Sequence, residues 1–395
     1  MTKRRALVIG GGIAGTATAV ALRHAGFDPV VHEAKERGAD ERGAFVTLAV
    51  NGVNALRSLG LDPARVLERG FPTPTIALRA ASGRLLAEVP LGGPLPDGTT
   101  TVTIRRADLY ASLRSQAKAH DVPIVYGGRL AGVVSGAGEV TAAFEDGRTD
   151  SADLLVGADG LHSRTREVLN PHAPAPHYLG LLNAGGFTAG PVAGPPAGVM
   201  QMAFGRRAFF GWASAPDGTV WWFANPPRKR PVAPGEFSPA AWRAHLLELF
   251  AGEPAGDLVA ASDEILGPWN TRDLHRVRVW HDDRVVLVGD AAHAVAPSSG
   301  QGASMALEDA VVLGHCLLAQ PELPAALAAY ESARRPRVEK VVAYGRRSSN
   351  TKVLGPVGAA VRDAVLPVIM RRLHRRGDPQ AWILEHRLPH LAASR

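Results

Sequence analysis

Four consecutive apolar residues, Ala6 to Ile9, stand close to the N-terminus and run straight into glycines. An unbroken apolar run this short predicts a strand buried on both faces, the kind found inside parallel sheets. Thr16 to His24 then carries apolar residues at helical spacing, Gly26 is a helix stop, and Pro29 to His32 predicts a second strand ending at Glu33. The chain thus opens with a βαβ unit. Asn51 to Gly60, "NGVNALRSLG", predicts an amphipathic helix with a glycine stop, and "TVTIRRADLYASLRSQAKAH" runs from a strand into a helix through Arg105-Arg106-Ala107-Asp108. Residues 122 to 156 alternate strand-like runs with glycine turns. At Leu154 to Val156 the opening theme returns as strand, then Asp159-Gly160, then a basic helix. It returns again in "RVVLVGDAAHAVAPSSGQGASMALEDA", residues 284 to 310, where an apolar run stops at Gly289-Asp290 and a glycine-bearing loop leads into a helix.

Between about 172 and 268 the pattern changes. Glycine and proline become dense, and five of the seven tryptophans fall between 212 and 269, which marks a β-rich segment with its own core. Beyond 345 the chain predicts basic helix, with "VLPVIMRRLHRRGD" its most amphipathic stretch, expected to pack onto the body of the protein. The fold class is α/β: a Rossmann-like nucleotide-binding domain with an inserted β-sheet substrate domain and a C-terminal helical segment. The expected boundaries are 1–72, 100–171 and 269–345 for the first, 73–99 and 172–268 for the second, and 346–395 for the third.

Composition narrows the class. At 46% hydrophobic and 21% charged residues, the sequence reads as soluble and globular. The net charge of +7 favours anionic small molecules, but no long block of like charge resembles a nucleic-acid arm. Cys316 is the only cysteine, which rules out an internal disulfide, a C-x-x-C redox pair and a cysteine metal site. A reducing cytoplasm is expected, with no metal. No stretch approaches the length that spans a bilayer, and no membrane partner is expected.

The candidate chemistry lies at the strand ends. Gly10, Gly12 and Gly15 form G-x-G-x-x-G between a strand and a helix, with Glu33 at the second strand's end. Gly10 allows the tight turn, Gly12 lets backbone approach a pyrophosphate, and Gly15 lets helix and strand pack closely. Glu33 can accept from a ribose 2′-OH, which favours FAD or NAD over NADP at this site. In a doubly wound sheet the strands' C-terminal ends gather at one edge, so the three glycine-and-acid turns can converge on one long ligand. FAD fits, because its ribityl hydroxyls can donate to an Asp carboxylate.

"GGGIAG…E", "GADGLHSRTR" and "VLVGDAAHAVAPSSGQGAS", in this order, resemble the group A single-component FAD-dependent aromatic monooxygenases, which share the p-hydroxybenzoate hydroxylase fold. "IRRADL" matches that family's R-x-x-L element. "NGVNALRSLGL" is most similar to the salicylate hydroxylase, urate hydroxylase and tetracycline-modifying branch. The resemblance implies an NAD(P)H- and O2-consuming monooxygenase that hydroxylates an aromatic or polycyclic small molecule through a flavin C4a-hydroperoxide, as a monomer or homodimer. It assigns Gly10, Gly12, Ile13, Ala14, Gly15, Glu33 and Ala34 to the ADP half of FAD. Arg106 falls to its phosphate or ribityl region, and Asp159 and Gly160 to the pyrophosphate motif. Gly289 and Asp290 fall to the ribityl chain, Pro297 lies beside the ring, and Gly300, Gln301, Gly302 and Ala303 face its pyrimidine end. Arg42 matches a family arginine near the flavin. A helix start at the last of these places suits the chemistry independently, since its N–H groups stabilise negative charge on the reduced ring.

Other outcomes share this scaffold: epoxidation, halogenation, reduction, or flavin-dependent sensing without turnover. The halogenase element W-x-W-x-I-P is missing, since "VWWFAN" does not match it. No catalytic residue is assigned. His293 reads as a side chain bonded to a neighbouring strand rather than a base. Arg206 and Arg207 could serve an anionic ligand or sit at a solvated hairpin tip. Met200, Met202, Phe204, Phe209, Phe210 and Trp212 include a substrate wall, but strand alternation sends half of them elsewhere. Phe45 to Leu48 is a second candidate wall, and Cys316 reads as core.

Overall fold

The computed structural model describes residues 4–36, 43–95, 97–136, 138–188, 196–350, 352, 354–374 and 379–391. At its centre is a five-stranded parallel sheet in the order Val285–Leu287, Leu154–Gly157, Arg4–Ile9, Phe27–Glu33, Ile124–Tyr126. The apolar run Ala6 to Ile9 lies in the middle strand and alternates between two cores. Ala6 and Val8 pack with the helices Ile13–His24 and Gly302–Ala319. Leu7 and Ile9 pack under an antiparallel meander, Leu130–Ser135, Val140–Phe144 and Thr149–Ala152. Burial on both faces is why this strand reads as continuous apolar sequence.

One expectation is corrected here. The helix Gly302–Ala319 is long and apolar enough to cross a membrane, alone among the described helices. Its apolarity comes from its place in the core, between Ile13–His24 and Leu323–Asn350.

The second sheet has seven strands in the order Ser262–Asp273, His177–Thr188, Val220–Asn225, Phe209–Ser214, Val199–Phe204, Thr75–Ala80, Leu85–Pro90. Chain from 75–90 and from 177–273 therefore interleaves in one sheet. The junctions expected at 268/269 and 345/346 fall inside continuous elements, the strand Ser262–Asp273 and the helix Leu323–Asn350. One face of the sheet is closed by the helices Pro239–Leu249 and Pro254–Ala260 over Phe210, Trp222 and Phe250. The other face carries Met200, Ala213 and Trp221 and meets Phe45 and Phe71 from the small sheet Phe45–Leu48, Val102–Arg105, Phe71–Pro72.

The helix Pro356–His374 lies against the strand Leu85–Pro90 and tucks Met370 toward the Phe71 and Trp221 cluster. Packing onto the body is met on that side only. Val357, Val361, Val365, Val368 and Ile369 recur every one to four positions as an exposed stripe.

Candidate functional site

The three glycine turns meet at the C-terminal edge of the parallel sheet, where Ile9 pairs with Gly157, and Gly157 with Leu287. Gly10 has φ +110°, and a Cβ there would lie 2.4 Å from the Ala158 carbonyl oxygen. A Cβ at Gly15 would lie 1.8 Å from the Gly10 oxygen. Gly289, at φ +59°, packs so closely that its Cβ would be 2.8 Å from that of Ala14. The first and second turns are thus pressed backbone to backbone, and the third packs against the Ala14 side chain. Gly12 is different: φ is −82°, and a Cβ there would meet no atom of the described residues within 4 Å. Protein packing does not require glycine at 12. No side chain caps the helix Ile13–His24 that starts beside it, so Ile13 and Ala14 present a bare helix start.

Glu33 ends its strand with Oε2 accepting from the Gly11 N–H at 2.8 Å and Oε1 from Lys35 N–H at 3.0 Å, across the bend at Ala34. Arg114 completes this corner. Its Nε donates to the Gly11 carbonyl at 2.9 Å, its Nη2 lies 3.9 Å from Glu33, and its guanidinium lies over Tyr126. Sequence reasoning missed it, although it follows Arg106 by about two turns of the same helix, Arg106–Ala119. Arg42 lies outside the described residues.

Arg106 opens that helix under Gly43, whose Cβ would strike its Cδ at 2.7 Å. It donates to Tyr110 Oη, while its buried Nε has no partner among the described residues. Burial opposes its charge, but Tyr110 and Asp290 outweigh that and raise its pKa. Asp290 begins the short helix Asp290–His293. It is crowded by protein yet its own surface is exposed. Burial raises its pKa above the ordinary carboxylate value against the pull of His293 and Arg106; the open surface moderates this.

Asp159 is spent locally. It accepts from Ser163 Oγ, Thr165 N–H and Thr165 Oγ1, holding the start of the helix Arg164–Leu169. Gly160 follows at φ +79° with open space around it. Arg166 ties this turn to the third by donating to the Leu161 and Ala291 carbonyls. A groove of about 490 Å³ along His162, Arg164 and Pro174 adjoins this turn but shares no lining residue with the segment from Asp290 to Ala303.

That segment turns at Pro297–Ser299, passes Gly300 at φ +62°, and enters Gly302–Ala319 with no side-chain cap on its first turn, at Gly302 and Ala303. Beneath it lies a buried polar network that sequence reasoning did not find. Asn51 donates to Gln301 Oε1 at 3.0 Å and to Glu308 Oε1 at 2.7 Å. Arg334 bridges Glu308 and Asp309, each at 2.7 Å, and Arg337 adds a second cation on Glu308. Asp309 also accepts from Gly289 N–H at 2.8 Å and meets His293 Nε2 at 2.6 Å. Burial alone would raise its pKa; His293, Arg334 and the Gly289 N–H hold it at about 2. His293 is therefore bonded to a neighbouring element rather than free as a base, but the partner is a helix and not the expected strand.

Of the proposed wall, Met202 and Phe209 share the sheet face of Phe223, and Met200 and Phe204 follow by alternation; Phe210 and Trp212 point to the helix-covered face. Phe45 lies 6.0 Å from both Trp221 and Phe223. Arg206 and Arg207 are exposed, as a hairpin tip would leave them, yet bonded. They donate to the carbonyls of Glu248, Leu249, Ala251 and Gly252 and close the end of Pro239–Leu249. Cys316 is half-buried against the core.

The chain resembles known proteins over most of its length. It is 33% identical over 356 residues to the aurachin C monooxygenase/isomerase of Stigmatella aurantiaca, covering 86% of this chain and 88% of that one. It is 31% identical over 352 residues to an FAD-dependent urate hydroxylase of Klebsiella pneumoniae, covering 87% and 89%. The crystal structure of Klebsiella pneumoniae HpxO complexed with FAD and uric acid superposes with a TM-score of 0.83 at 29% identity, over 94% of this chain and 95% of that one. The model of the FAD binding domain family matches residues 3–344. The chain belongs to that family, and it is an FAD-dependent monooxygenase of group A.

Proposed function

We propose that the cleft holds FAD along the three turns and oxidises a planar aromatic molecule against the Phe45, Trp221 and Phe223 face. The observation that carries this reading is Gly12, a glycine that packing leaves free, beside an uncapped helix start. Arg106 Nε, without a partner among the described residues, and the open Asp290 carboxylate fit the same extended polar ligand. In this reading Gly10 to Gly15, Glu33 and Ala34 hold the ADP half. Arg106 meets a phosphate, Asp290 accepts from the ribityl hydroxyls, and Pro297 and Gly300 to Ala303 border the ring. Asp159 and Gly160 shape the pyrophosphate turn, and residues 1–72, 100–171 and 269–345 act as the FAD-binding unit.

Bound FAD supplies two-electron reduction by NAD(P)H and activation of O2 for transfer of one oxygen atom. The helix start at Gly302 and Ala303 stabilises negative charge at the ring's pyrimidine end. The aromatic face orients the substrate and excludes water from the reacting atoms. Relatives that hydroxylate urate and 3-hydroxybenzoate support an aromatic or heteroaromatic substrate.

The test is direct. Purified protein should carry FAD and oxidise NADH or NADPH faster with an aromatic substrate, giving a product heavier by one oxygen. Asp290→Ala should weaken FAD binding about tenfold to a hundredfold, the range for losing hydrogen bonds to a charged group, by fluorescence titration. A protein that takes up no FAD would overturn the reading.

A further inference from the structure

Lys352 is a buried cation that none of the above uses. It is 8% exposed, and its Nζ donates to Asn225 Oδ1. It stands 4.6 Å from the Phe209 ring centroid and 5.9 Å from that of Phe223. Asn225 is held in turn, its Nδ2 donating to Asn183 Oδ1 at 2.6 Å. These rings belong to the same sheet face that meets Phe45. The chain reaches that face directly from the ring-bordering turn, since Ser349 Oγ bonds Ser298 Oγ at 2.9 Å and its carbonyl accepts from Lys352 N–H. What faces the amine from the two strands is the Asn225 amide and the Phe209 and Phe223 rings. Among the described residues no carboxylate pairs with it, and burial alone lowers its pKa to about 7.

An unpaired ammonium is costly to bury, so such an amine is either neutral or matched by an anion that comes and goes. Resting on the reading that this face is the substrate wall, we propose that Lys352 selects the substrate: it takes planar aromatics bearing an acidic ring hydroxyl and accepts that proton on Nζ as they bind. The O–H bond breaks, the N–H bond forms, and an aryl oxide is left against the ammonium that Asn225 and the two phenyl rings support. No oxidant or further reactant enters the step. A weakly acidic hydroxyl suits this site better than a carboxylate. It crosses the apolar wall neutral and becomes charged only where a partner waits.

The test uses FAD-loaded protein without NAD(P)H, with 4-nitrophenol as the probe and 4-nitroanisole, its methyl ether, as the matched control. Wild type should bind the phenol about 10- to 100-fold more tightly than the ether, the range for a charge-assisted hydrogen bond. The bound phenol should show its anion absorption at a pH where the free compound is still protonated. Lys352→Met should bind both compounds alike and lose the anion band, with FAD content and thermal unfolding measured alongside. Lys352→Arg, which cannot accept a proton, should bind the phenol only as solution pH ionises it. A structural role alone would not move the band or the pH profile. Equal binding of phenol and ether by wild type, binding of neither, or an unchanged preference in Lys352→Met would overturn the assignment. FAD content separates the two readings: full FAD with no phenol preference defeats this proposal, whereas absence of FAD from wild type defeats the monooxygenase reading.

Discussion

Gly12→Ala is expected to leave the apoprotein folded and yet reduce FAD affinity by about a hundredfold or more, whereas Gly15→Ala should fail in folding itself. The contrast rests on what each new Cβ meets. At Gly15 it would lie 1.8 Å from the Gly10 oxygen and 3.0 Å from the Gly10 carbonyl carbon, both backbone atoms. Gly10 cannot retreat, because it is already pressed against Ala158 at a positive φ. Overpacking of this kind costs about 1–3 kcal/mol or more, and here it separates the first strand from its helix at the sheet's centre. At Gly12 the Cβ meets no atom of the described residues, and φ −82° suits alanine. The lost chain freedom of the unfolded state could even stabilise the apoprotein by a few tenths of a kcal/mol. Only a ligand brought to backbone distance would collide. Urea unfolding of the apoproteins and FAD fluorescence titration distinguish the two. Normal FAD affinity in Gly12→Ala would mean that the pyrophosphate does not pass there.

What the sequence made legible follows from distance along the chain. Gly10 to Glu33 is a local unit, so strand, turn, helix and acid could be read together, and the same held for Gly289 to Ala303. The polar network under Gln301 joins Asn51, Glu308, Asp309, Arg334 and Arg337 across as many as 286 positions, from Asn51 to Arg337. Single charged residues on helices look like solvated faces until the helices are packed, and nothing in "ARRPRVEK" marks Arg334 as buried. Arg206 and Arg207 are exposed as their place between two strands implies, but their bonds could not be read. A hairpin tip implies solvent, but a helix C-terminus with bare carbonyls packs beside it. Alternation correctly required that the aromatic wall be divided between two faces. It could not say which, because both faces are apolar, one closed by helices and the other by Phe45 and Phe71.

Removing Arg334 should lower stability steeply without abolishing the fold. Arg334→Met strands Glu308 and Asp309, two buried carboxylates 2.7 Å from the guanidinium, and breaking a buried pair from one side costs about 3–5 kcal/mol. Arg337 still serves Glu308, and His293 still serves Asp309, so the protein should fold but melt many degrees lower. The pH dependence has a definite sign. Asp309 sits at about 2 against an ordinary value of 3.8, so its contribution is complete above that ordinary value and lost as pH falls toward 2. Without Arg334 its pKa rises and the acid loss of stability should begin at higher pH. Asp309→Asn in the Arg334→Met background should return part of the stability, because it removes one uncompensated charge and can still accept from Gly289 N–H. Glu308 and Asp309 also hold Asn51 and Gly289 beside the cleft. FAD affinity should therefore fall together with the melting temperature in Arg334→Met. A fall in melting temperature with FAD affinity unchanged would show that the network supports the core helices without aligning the turns they carry.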